Sequence, residues 1–277
     1  MIYPLLALVL LGHMALYADD YSFDMESIEV KSFEYSGYLR SEYKYQNLNQ
    51  DSPLYALLNR NDNVQDTSLN EALFRFTQYK NDFKLIGALS ARYENIDGSD
   101  EDIFTIYQLY AHHTLSINHS IDLGKKTLKW GTGYFFNPAA FLDRPKDPIQ
   151  PENAYEGYSM ANYIYNKSFV GDLKNLKLDL VYMPTSSKIN NDFYALNSHN
   201  LATKLYLLYF DTDLSLIYLY SDSQKDKLGF TFSRNLETYF EIHGEYAKEL
   251  DGYHAYLLGF KYVTQRDIAI LSEYYYH

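Results

Sequence analysis

The chain has 277 residues, no cysteine and a formal net charge of −12. The length fits one large all-β domain or two small ones. The lack of cysteine excludes disulfides, thiolate metal sites and cysteine nucleophiles, and the acidic balance excludes a nucleic-acid partner, whose phosphates demand basic patches.

Residues 1–18 read MIYPLLALVLLGHMALYA, with an apolar run from Leu5 to Leu11, small residues at Ala15 and Ala18, and acids at once in Asp19 and Asp20. This predicts a cleaved signal peptide ending at Ala18. A membrane anchor is the alternative, but the apolar run is short against about 30 Å of hydrocarbon. Residues 19–32 are then expected to form a periplasmic N-terminal segment, with 33–277 as one further domain.

From residue 33 the chain alternates with period two. In 33–45, Phe33, Tyr35, Leu39, Tyr43 and Tyr45 share one face, and Glu34, Arg40, Glu42 and Lys44 the other. Residues 83–94 and 236–247 repeat the pattern. Further strands are predicted at 71–80, 104–116, 120–130, 158–167, 174–183, 201–210, 213–221, 227–233, 253–263 and 267–277. Such lengths suit tilted strands crossing a bilayer, which need about 9–11 residues. The composition, with 31 Tyr and 16 Phe against one Trp, suits the aromatic girdles of a membrane barrel, and it also fits a tyrosine-rich soluble sandwich.

The connections sort by parity. Short ones are expected at Asn81-Asp82, Ile117 to His119, Asp211 to Asp213, Arg234-Asn235 and Thr264 to Arg266, and long ones at 46–70, 95–103, 131–157 and 184–200. Transmembrane barrels pair tight periplasmic turns with long external loops in this way. The expected fold is therefore an all-β, transmembrane antiparallel up-and-down β-barrel of about 12–14 strands. The segments found give thirteen, whereas bacterial barrels have even numbers. Either one strand is misplaced or the barrel is cut short.

The segment between Gly124 and Gly157 holds the only Trp and four of the seven prolines, Pro138, Pro145, Pro148 and Pro151. Proline lacks a ladder donor, so 137–151 cannot be a central strand. The residues Gly124, Trp130, Gly131, Gly133, Pro138, Asp147 and Pro148 give a strand running into Trp-Gly-x-Gly, then Pro, then Asp-Pro. That pattern resembles a porin-like family of Gram-negative outer-membrane proteins. The resemblance implies an envelope barrel with a solute channel. It also implies a loop folded into the lumen, where Asn137, Asp143, Arg144, Lys146, Asp147 and Glu152 line a constriction. A loop held outside the rim is the alternative. On the strand faces, Arg40, Lys44, Arg75, Arg92, Glu94 and Glu241 are expected in a wet lumen, with Lys84, Glu237 and Glu245 beside them.

Chemistry-bearing motifs are absent. There is no G-x-S-x-G and no complete phosphate loop, and the adjacent His112 and His113 point to opposite faces of a strand. Asp97, Asp100, Glu101 and Asp102 lack the Gly and terminal Glu of a calcium loop. No cofactor and no metal are implied. The expected function is passive diffusion of small hydrophilic solutes across the outer membrane, with no enzymatic activity. The expected partners are lipid, lipopolysaccharide and a second copy of the chain. An outer-membrane hydrolase using His112 or His113, and a structural or adhesive barrel with a plugged lumen, remain rivals.

Overall fold

The computed structural model describes residues 32–58, 63–145 and 156–277. The predicted signal peptide, 1–18, and all of the 19–32 segment but Ser32 lie outside the described residues. Thirteen strands run in chain order: β1 (Phe33–Asn47), β2 (Val64–Lys80), β3 (Phe83–Ile96), β4 (Ser99–Ser116), β5 (His119–Lys126), β6 (Tyr158–Ser168), β7 (Leu173–Pro184), β8 (His199–Tyr209), β9 (Thr212–Ser221), β10 (Lys227–Glu237), β11 (Phe240–Glu249), β12 (His254–Val263) and β13 (Ala269–Tyr276). A short helix, α1 (Pro53–Leu58), lies between β1 and β2. Each strand pairs antiparallel with the next, giving one up-and-down sheet.

Register carries the period-two pattern across the whole sheet. Leu39 faces Ala72, Ala72 faces Ala91, and Ala91 faces Phe104. Further on, Leu205 faces Leu216, Leu216 faces Phe230, Phe230 faces Tyr246, and Tyr246 faces Tyr256. Opposed side chains share a face, so these residues form one continuous oily face. Its large apolar side chains are exposed: Leu39 is 77 % exposed, Leu216 49 % and Leu258 55 %. The other face carries Glu71, Asp122, Asp179 and Glu245, all buried, with Asp122 1 % exposed and Glu245 3 %. The arrangement inverts the usual one, in which carboxylates stay wet and leucines hide.

The structure moves several predicted boundaries. β2 begins at Val64 rather than 71, and β4 at Ser99 rather than 104. The expected long loop at 95–103 is therefore a tight turn. Asp97 and Gly98 both hold positive φ, 52° and 82°, as the mirror-image hairpin turn requires. The acids that looked like loop residues sit in paired strand ends instead: Tyr93 donates its hydroxyl to Asp100 at 2.6 Å, and Asp102 faces Tyr93 across the ladder. The expected turn at Arg234-Asn235 lies at Thr238-Tyr239, because Arg234 keeps its place opposite Ile242 and a bulge at Asn235/Glu237 absorbs the extra residue. β5 stops at Lys126, so 127–130 are not strand.

Among the described residues the strand count is odd. All odd-numbered strands run in one sense, so β1 and β13 are parallel, and among the described residues no ladder joins them.

Gly124 shows why one sequence position is fixed. Its φ is +130°, and a Cβ there would lie 2.4 Å from the Leu109 carbonyl oxygen. Gly98 also has positive φ, yet a Cβ there meets nothing within 4 Å. Gly98→Ala should therefore cost about 1 kcal/mol for backbone strain alone. Gly124→Ala adds a backbone clash and should cost roughly 2 kcal/mol more, within the range of overpacking penalties. A urea titration followed by fluorescence of Trp130, the single tryptophan, checks the order.

Candidate functional site

The segment after β5 leaves the sheet and crosses its polar face. It must satisfy its own backbone groups there, since no strand partners it. Two strand carboxylates do so. Glu245 of β11 accepts the N–H groups of Thr132 (2.5 Å), Gly133 (2.8 Å) and Ala139 (2.9 Å). Glu273 of β13 accepts those of Tyr134 (2.5 Å), Phe135 (2.9 Å) and Phe136 (3.2 Å). Successive N–H groups converging on one anion make a nest, and charge-assisted bonds of this kind are the strong ones. His243 supports the arrangement from below. Its Nε2 lies 3.0 Å from Glu273, and its Nδ1 lies 3.6 Å from Glu241.

The glycines of Trp-Gly-x-Gly are needed for this path. A Cβ at Gly133 would lie 1.9 Å from the Phe136 carbonyl oxygen, and one at Gly131 would strike the Asn137 side chain. Trp130, Ala139 and Leu142 then seat on an apolar saddle of Tyr158, Met160, Val181, Met183, Ala202, Ile217 and Leu219. These are β6–β9 side chains of the otherwise polar face, and they form the largest dry contact of the segment.

Three of the six predicted constriction residues, Asn137, Asp143 and Arg144, lie among the described residues. Asn137 packs on Gly131, and its carbonyl accepts the Ala140 N–H at 3.2 Å. Asp143 does not line open space. It accepts the N–H groups of Lys129 and Trp130 at 2.9 and 2.8 Å, and burial pushes its carboxyl above the usual range even though those N–H bonds favour the charged form. Arg144 pairs with Asp192, lies 3.5 Å from Glu156, and stacks over the Tyr158 ring at 4.5 Å. It thereby ties the segment to the connection 185–198. Lys146, Asp147, Pro148 and Glu152 lie outside the described residues. Pro138 is half-buried beside Ala139. Tyr134 donates its hydroxyl to Glu241 at 3.0 Å. Burial and that bond push its phenol up to about 12, so it remains a donor at neutral pH.

The wall charges fall on the polar face as a set. Arg40 faces Glu71 and Glu71 faces Arg92; Arg75 faces Ala88, and Glu94 faces Glu101. Arg40 and Lys44 both pair with Glu42, at 2.5 and 2.8 Å. Sequence reasoning missed Glu273 altogether, placed His243 only as a polar-face residue of 236–247, and read Glu245 as a wall charge only. The signal for Glu245 and Glu273 was a carboxylate on a polar strand position, which cannot be matched to a distant loop without the register.

No family model matches this chain, and no curated protein matches it. Solved structures do. A triple mutant of the Rhodopseudomonas blastica porin is 11% identical with a TM-score of 0.44, covering 84% of this chain and 80% of that one. Salmonella typhi OmpF in complex with daunomycin is 9% identical with a TM-score of 0.42, covering 88% and 90%. Another mutant of the R. blastica porin is 10% identical with a TM-score of 0.41, covering 88% and 94%.

Glu245→Ala should free the segment while leaving the sheet intact. It removes three charge-assisted bonds worth roughly 1.5–3 kcal/mol each. Trp130 emission should shift to the red with the far-ultraviolet β signal unchanged. Thr132→Ala, which removes one hydroxyl bond of 3.2 Å to the same carboxylate, should leave emission in place. An unshifted emission in Glu245→Ala would show that the apolar saddle alone holds the segment.

Proposed function

We propose that this chain is a porin-like outer-membrane β-barrel that passes small hydrophilic solutes by diffusion through a lumen narrowed by the segment after β5. The observation that supports it best is the inversion of the two faces: exposed leucines and aromatics over the whole of one face, buried carboxylates and lysines on the other. In water such a surface would aggregate, whereas in a bilayer the oily face meets lipid and the polar face meets water. The packing of 127–145 onto the polar face supports a constriction.

Closure of the sheet belongs to this proposal. A strand edge facing hydrocarbon would leave unpaired N–H and C=O groups, each costing several kcal/mol. In a membrane the free edges of β1 and β13 must therefore be paired. Export by the 1–18 signal, a Gram-negative outer-membrane location, contacts with lipid and lipopolysaccharide, and self-association complete the proposal. The charges on the polar face, Arg40, Lys44, Arg75, Arg92, Glu94 and Glu241, would line the wet wall. Asn137, Asp143 and Arg144 would shape the constriction by holding the segment rather than by touching solute.

One feature favours a hydrolase. Asp122 lies 2.6 Å from His112 Nδ1, and Thr114 Oγ1 lies 3.5 Å from His112 Nε2, a carboxylate–imidazole–hydroxyl order. Asp122 also pairs with Lys126, and His112 and Asp122 face each other on the polar face of the sheet. Hydrolysis of a lipid ester that is lost in His112→Ala would favour this rival over the channel.

Planar-bilayer recording tests the channel directly: current steps are expected, and their absence at every voltage would end it. Leu216→Arg tests the membrane belt. Leu216 lies mid-strand on the oily face, so an arginine there should cost about 2–4 kcal/mol in a bilayer and lower the yield of heat-modifiable protein. An unchanged yield points to a soluble sheet.

A further inference from the structure

The crossing segment puts three successive aromatic side chains, Tyr134, Phe135 and Phe136, over the polar face of β11–β13. All three are exposed, Phe135 by 57 % and Phe136 by 45 %. Apolar rings left bare on a wet face cost free energy, and a patch of them marks a place where something binds. The rings are not loose. Glu273 accepts the backbone N–H of each of the three residues. Phe136 lies flat on Tyr275 of β13, with ring centroids 4.8 Å apart and planes 6° apart. A strand that pairs with the edge of β13 lies in the plane of the sheet and leaves this face open.

The charges beside the rings narrow the choice of ligand. Glu245 and Glu273 already accept three backbone N–H groups each, and their side chains are buried. Glu241 and Lys261 remain, directly opposite each other across the β11–β12 ladder. No ion pair joins them among the described residues. Tyr134 engages both: its hydroxyl donates to Glu241 at 3.0 Å, and the Lys261 ammonium lies 5.3 Å from its ring centre. Glu241 also accepts the Ser233 hydroxyl at 3.1 Å, and His243 Nδ1 lies 3.6 Å from it. A carboxylate has about four acceptor sites and an ammonium three donors, so Glu241 keeps acceptor capacity and Lys261 keeps donors. A cation at the rings would meet Lys261, and an anion would meet three carboxylates. A hydroxyl group is donor and acceptor at once and suits both neighbours without a charge of its own.

We propose that this aromatic ledge binds a neutral pyranose sugar, stacked on the exposed rings with its hydroxyls shared between Glu241 and Lys261. A gluco-configured ring carries axial C–H groups on its faces and hydroxyls round its rim. Its layout matches the ledge, apolar face on apolar ring and polar rim toward the polar pair. The proposal rests on the channel reading, and it names a class of solute for that channel.

The test uses the full chain in planar bilayers. The probe is methyl β-D-glucopyranoside, compared with mannitol, an open-chain polyol that has no ring face. The glucoside should reduce the current saturably, and mannitol should not. Phe135→Ala and Lys261→Gln should each raise the glucoside concentration for half-reduction about fivefold, the loss of one stacking ring or one donor. Unshifted Trp130 emission shows that the segment is still seated; where Phe135→Ala shifts it, Lys261→Gln decides. Phe169→Ala, which removes an exposed ring from the turn between β6 and β7, should leave the glucoside response unchanged. A glucoside that does not reduce the current, mannitol that reduces it equally, tetramethylammonium that reduces it in the glucoside's place, or an equal loss in Phe169→Ala overturns the ledge and leaves the channel standing. If no current is seen, the channel reading fails. Saturation-transfer NMR of the glucoside with the detergent-solubilised protein then decides the ledge: a saturable signal weakened in Lys261→Gln supports it, and no signal overturns it.

Discussion

A backbone N–H that leaves a sheet must find another acceptor, and in this molecule strand carboxylates supply it. The segment after β5 turns over the polar face with six N–H groups aimed at Glu245 and Glu273. Without those two side chains the same groups would need water, and the segment would stand off the sheet. The apolar saddle contributes area, but area has no direction. The carboxylates fix where each residue of the segment stops. The position of Trp130 and the bond from Lys204 to the Trp130 carbonyl both follow.

The carboxylates can serve in this way because the sheet keeps strict alternation. A slip of one residue in the β11 ladders would send Glu245 to the oily face and Tyr246 to the polar one. The alternation is held across β11, where Tyr246 faces Phe230 on one side and Tyr256 on the other. The oily face and the loop anchors are thus two readings of one register. A change that upsets either the leucines of the oily face or the acids of the polar face disturbs the other.

Much of the sheet was legible before the structure. Alternation located all thirteen strands, because each has enough residues for period two to stand above chance. What was illegible is instructive residue by residue. Asp97-Gly98 is a strong hairpin signal, yet the acids from Asp100 to Asp102 masked it, since a charged strand end beyond an oily belt looks like loop. Arg234 and Asn235 read as a turn because both are polar, but polar residues at the foot of a hairpin remain in the ladder. Trp130 extended the apparent period of β5, whereas it packs into the core of the crossing segment. Asp143 and Arg144 were picked for their charge, and the structure uses that charge for fastening. Glu273 was invisible, since the backbone donors it accepts lie more than a hundred residues away in a segment with no period at all.

Net charge is a poor guide to what such a face attracts. The excess of acids is spread over strand ends and turns, where water and salt screen it within a Debye length of about 8–10 Å. Asp66, Asp97, Asp100 and Asp102 lie at one rim in that condition. Lys204 donates to the Trp130 carbonyl beside a buried apolar cluster, where the same unit of charge acts more strongly. Glu245 and Glu273 are already engaged by backbone donors, and Glu273 by His243 as well. What the polar face attracts beside the crossing segment is set by the charges left over after the segment has been fastened, not by the net charge of the chain.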